Sequence, residues 1–155
     1  MRTATSLVLL LVLSIKRSTG ECGKLSGGIV GIDGCSEESL TRFEHFLTLS
    51  TAEKNELYET VESEYIQHRQ QPNVIEFEFQ KEEDAIHSKI EEAKRAGMKG
   101  KQELRVLEER ASSARADAQA RLEAAETKRD DRLGLQNLMK LSFLGKLPAK
   151  YKDEV

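Results

Sequence analysis

Residues 101–133 form an unbroken stretch with neither glycine nor proline. Within it Leu104, Leu107, Ala111, Ala114, Ala118, Leu122 and Ala125 recur at three- and four-residue intervals, the period of one helical face. Acidic and basic residues fill the remaining positions. Such a run predicts one long amphipathic helix, about 50 Å at 1.5 Å per residue. Alanine lets a second helix approach closely but buries little area. The surrounding charges read as a solvated face laced with i,i+4 pairs rather than as a binding patch.

The preceding segments carry helix signals of their own. Ser36 is a good N-cap, followed by Glu37 and Glu38 where the helix dipole favours negative charge. Leu40, Phe43, Phe46 and Leu47 supply the apolar stripe of this first helix. Ser50 to Glu53 is a capping box that opens a second helix, along which Leu57, Val61 and Tyr65 stack with Tyr58 beside them. Pro72 disfavours a helical residue before it, so "QQPN" is expected to end this helix. Ile75, Phe77 and Phe79 alternate as in a strand, yet no partner strand is visible in the chain. Asn73 with Glu76 reads instead as a fresh cap, giving a third helix to Ala96 with Ile75, Phe79, Ile86 and Ile90 on one face. "AGMKG" breaks the chain at residues 97–100. A short closing helix is expected around Leu135, Leu138, Met139 and Phe143, separated from the long one by Gly134.

The first twenty residues have the form of a secretory leader. Arg2 precedes the apolar run "LVLLLVL", and Ser18 and Gly20 are spaced as a signal peptidase site requires. The run is too short to span a bilayer, which takes roughly 20 apolar residues. Cleavage after Gly20 would leave 135 residues with 21 basic and 27 acidic side chains, a net charge near −6. That balance offers no electrostatic attraction to nucleic acid or anionic membrane.

Between the leader and the first helix lies "ECGKLSGGIVGIDGC". Its glycines lack the spacing of a phosphate loop and of a dinucleotide fingerprint, and Asp33 alone does not make a calcium loop. Cys22 and Cys35 in an exported chain are most simply a disulfide closing a short glycine-rich hook. The alternative is two thiols in a tail, one pairing with a second chain.

The order of parts resembles the nematode SXP/RAL secreted antigens: an export signal, a helix bearing Phe43 and Phe46, the "LTLSTAE" turn, a long charged helix, and a closing segment from Leu147-Pro148 to Glu154. The likeness runs from about Ser36 to Val155, while the cysteine hook and "AGMKG" have no counterpart in the family's pattern. It implies a secreted helical bundle without established catalysis, immunogenic or immunomodulatory, and in some members cation-binding.

The expected architecture is therefore all-α: a leader over residues 1–20, a glycine-rich segment over 21–35, and over 36–155 a small helical bundle with one long alanine-rich helix. The expected function is a secreted, extracellular, non-enzymatic interaction protein without cofactor, nucleic-acid partner or membrane insertion. The histidines lie in no nucleophile or metalloprotease motif. Glu64 with His68 and Asp84 with His87 have helical spacings that could contribute to a divalent-cation site in a bundle, although such pairs arise by chance in so acidic a chain. Phe43, Phe46, Tyr58, Tyr65, Phe77 and Phe79 are read as core, or alternatively as the lining for a small apolar ligand such as a lipid. Ala111, Ala118 and Ala125 form a seam that would reach beyond the other helices and serve self-association or a protein partner.

Overall fold

The computed structural model describes residues 21–154, so the leader predicted over residues 1–20 lies outside the described residues. Two short strands, β1 (Leu25–Ser26) and β2 (Ile29–Val30), precede three α-helices: α1 (Glu37–Leu47), α2 (Thr51–Arg95) and α3 (Lys101–Phe143). A 3-10 turn over Gly97–Gly100 joins α2 to α3, and another covers Ala149–Glu154. The all-α expectation holds. The chain forms two compact units, one built from residues up to 67 and from 127 onward, the other from residues 68–126.

In the first unit, the glycine-rich segment is a small tied hook. Cys22 and Cys35 are joined as a disulfide within the chain. Between them β1 and β2 pair antiparallel, Leu25 opposite Val30 and Ser26 opposite Ile29. This ladder was not anticipated from sequence. Its two-residue turn is Gly27-Gly28, both at positive φ, the combination that matches the twist of adjoining strands. Reduction, or replacement of both cysteines by alanine, should lower stability by about 3 kcal/mol for a loop of this size. Urea unfolding followed by circular dichroism reads the effect; an unchanged midpoint would mean that the bond adds nothing.

Phe43 and Phe46 of α1 are fully buried, with Val61 of α2, Leu135, Leu138 and Met139 of α3, and Tyr151 from the closing 3-10 turn. Tyr151 meets Phe43 edge-on at 5.4 Å between ring centroids, and its hydroxyl donates to Glu44 at 3.1 Å. The tail is thereby a structural part of the core.

Two predicted helix breaks do not occur. Pro72 lies inside α2, and Gly134 lies inside α3. Pro72 is buried, so its side chain packs where its missing N–H weakens the helix; interior proline costs about 3 kcal/mol, and packing on both sides carries the helix through. Gly134 answers a different need. A Cβ there would overlap Cys22 Sγ and sit within 2.9 Å of the Cys22 carbonyl oxygen. The glycine lets the disulfide hook rest directly on α3.

The second unit is a helical hairpin. Pro72, Phe79, Ile86 and Ala93 of α2 are inward-facing at intervals of seven, as are Leu104, Ala111, Ala118 and Ala125 of α3, the repeat of an antiparallel coiled coil. Arg115 pairs with Glu83 and Arg121 with Glu78, each at 3.6 Å, and this register sets the larger α2 residues level with the alanines. At the turn, Gly97 has φ 64°, and a Cβ on Gly100 would run into the Ala93 carbonyl.

Candidate interaction surface

The first helix is clasped from the far end of the chain. Asp131 of α3 accepts from the Ser36 backbone N–H, from Ser36 Oγ and from Ser39 Oγ, each at 2.7 Å. Ser36 Oγ in turn accepts from the Ser39 N–H at 3.1 Å. The carboxylate thus sits on the N-terminus of α1, where the free N–H groups and the helix dipole favour negative charge. Arg132 lies beside it, donating to Asp131 at 3.3 Å and to Glu38 at 3.0 Å. Its Nε is buried without a hydrogen bond, 3.9 Å from the Glu64 carboxylate, and Glu64 also pairs with Arg42 at 2.8 Å. The Ser36 cap was readable beforehand; the roles of Asp131, Arg132 and Glu64 were not, because "KRDDRL" looks like any other charged helix surface.

The candidate cation residues are dispersed among other duties. Glu64 belongs to the arginine cluster just described. His68 is half-buried, Asp84 accepts from Gln80 at 3.0 Å, and His87 lies 4.0 Å from Glu91. Among the described residues no three His, Cys, Asp or Glu side chains are grouped to hold a metal ion.

The aromatic set divides. Phe43 and Phe46 pack in the first unit's core, with Phe143 edge-on to both Phe46 and Tyr58. Tyr58 is half-buried and accepts from Gln136 at 3.1 Å; Tyr65 is also half-buried. Phe79 lies in the hairpin seam. Phe77 departs from the expected face: it is 62% exposed, with Lys81 Nζ 4.7 Å above its ring. Once Phe79 and Ile75 turn inward, a residue two positions from each is carried round the helix into solvent.

The alanine seam also departs from expectation. Ala118 and Ala125 are only 7% and 8% exposed and Ala111 is half-buried. The uninterrupted α2 is long enough to cover them, so the seam closes within the chain. A charge at Ala118 would disturb the hairpin itself rather than release a second copy. What the hairpin leaves outside is a different set of apolar groups: Val74, Phe77, Met98 and Val106. No helix among the described residues is long and apolar enough to cross a membrane.

No family model matches the chain, and no curated protein or solved structure is significantly similar to it.

Proposed function

We propose that the chain is an exported, non-enzymatic helical interaction protein, the role that the SXP/RAL resemblance implies, with the helical hairpin as its contacting element. The observation that carries this reading is the exposure of Phe77 and Met98 on a hairpin whose seam is already closed. Aromatic residues and methionine are the side chains enriched where proteins meet partners. The intramolecular disulfide supports an oxidising compartment.

The test is native mass spectrometry of the protein recovered from its own secretions. The expected species starts near Glu21, lacks free thiol, carries no apolar ligand, and is an assembly that Phe77→Glu reduces to monomer. A monomer retaining Met1 with alkylatable cysteines overturns the reading. A monomer that co-purifies with a fatty acid favours the carrier function instead.

A further inference from the structure

The turn of the helical hairpin carries charge opposite in sign to the chain as a whole. Lys94, Arg95, Lys99, Lys101 and Arg105 lie within residues 94–105 against one acid, Glu103, although the full chain has a net charge of −3. All five cations are exposed. Further along the hairpin Arg115 and Arg121 are committed to Glu83 and Glu78. No tip cation is in an ion pair among the described residues. The next acids, Glu91, Glu92, Glu108 and Glu109, begin two to three residues beyond the outermost cations.

The same tip presents apolar groups. Met98, in the 3-10 turn between Gly97 and Gly100, is 89% exposed, and Val106 is 57% exposed. Both line a groove of about 540 Å³ together with Lys99, Lys101, Gln102 and Arg105, with the acid Glu109 among its lining residues. The positive φ at Gly97 and the close approach of Gly100 to Ala93 hold the turn tight, so Met98 stands at its apex.

We propose that this tip docks on an anionic lipid bilayer, with Met98 entering the interface and the cations at the headgroup phosphates. The proposal deepens the interaction reading by naming the surface that the hairpin meets. A soluble polyanion would satisfy the cations but gain nothing from an exposed methionine, whereas a bilayer interface rewards both. Long basic side chains lay their methylene stems along apolar surface while their charged ends stay hydrated. Each Lys or Arg near an anionic membrane strengthens binding roughly fivefold, and the attraction fades within about 10 Å. Net charge, which argues against such a partner, is set mainly by acids elsewhere in the chain, and those flanking the tip stand further from the apex than Met98, Lys99 and Lys101 do.

The mature, disulfide-bonded chain is sedimented with vesicles of phosphatidylcholine alone and with vesicles rich in phosphatidylserine. It should pellet only with the latter, and less as salt rises. Lys99→Glu with Lys101→Glu should weaken binding by roughly 25-fold or more. Met98→Ser should weaken it several-fold while leaving the salt slope unchanged. All three positions are exposed, and circular dichroism confirms the fold of each variant. Phe77→Ser, about 30 Å away along the helix, should bind as the parent does. Equal pelleting with phosphatidylcholine alone, or anionic binding indifferent to the lysine reversals, overturns the proposal. Retention on heparin without vesicle binding also overturns it, assigning the tip to a soluble polyanion. Assembly and vesicle binding are separate readouts, so monomeric protein that still binds vesicles would sink only the interaction through Phe77.

Discussion

Asp131→Ala should lower the free energy of unfolding by about 3 kcal/mol, since a hydrogen bond to a charged group is worth about 1.5–3 kcal/mol and an N-cap about 1 kcal/mol. Four donors converge on this carboxylate: the Ser36 N–H, Ser36 Oγ, Ser39 Oγ and, at 3.3 Å, Arg132 Nη1. Ser39 is fully buried, and the Asp131 side chain is only 13% exposed, so water cannot readily replace the lost acceptor. Arg132 would lose one of its acids but keep Glu38 and Glu64, which holds the loss below that of an isolated buried charge. In a domain of this size the melting temperature should fall by roughly 10 °C. Ser39→Ala, which removes one of the four bonds to the carboxylate and the weaker contact from Arg132 Nη1, should cost about 1 kcal/mol. Thermal unfolding by circular dichroism reads both variants. If Asp131→Ala melts within a degree or so of the parent, the clasp is decorative and α1 is held by its aromatic face alone.

The second large effect is expected at Gly134, where two rules give opposite signs. Alanine in a helix interior is favoured over glycine by about 1 kcal/mol, so a reading of α3 in isolation makes Gly134→Ala stabilising. The hook reverses the sign. An added Cβ would overlap Cys22 Sγ and come within 2.9 Å of both the Cys22 carbonyl oxygen and, less closely than the sulfur, the 2.8 Å-distant Cys22 Cβ. Backbone and a disulfide-bonded side chain cannot move aside cheaply, and overpacking of this kind costs about 1–3 kcal/mol or more. Gly23, whose own Cβ would strike the Gly134 carbonyl, is the partner surface. The variant should therefore melt several degrees lower, with the disulfide retained by mass. A higher melting temperature would mean that the hook does not rest on α3.

Local chemistry was legible in the sequence wherever a residue acts on its immediate neighbours. The Ser36 cap, the capping box at Ser50 and Glu53, and the buried Phe43 and Phe46 follow from spacing and residue type, whereas the cysteine pairing was expected from the export signal, with pairing to a second chain as the alternative. The seam of Ala111, Ala118 and Ala125 was visible as a stripe, because helical period is written along the chain. Its occupant was not. Pro72 marks a break by local preference, and only the continuous packing of α2 on α3 shows that the preference loses; the covered seam follows from that continuity. Gly134 is the same lesson reversed, a residue that punctuates locally but serves a contact with Cys22, more than a hundred residues earlier. Asp131 and Arg132 carry no sequence mark at all, since a clasp is made by separation in the chain and meeting in space. Periodicity and capping are properties of a few consecutive residues and can be read directly. Register, close backbone approach and long-range polar contacts depend on which surfaces are brought together, and that the tertiary structure alone decides.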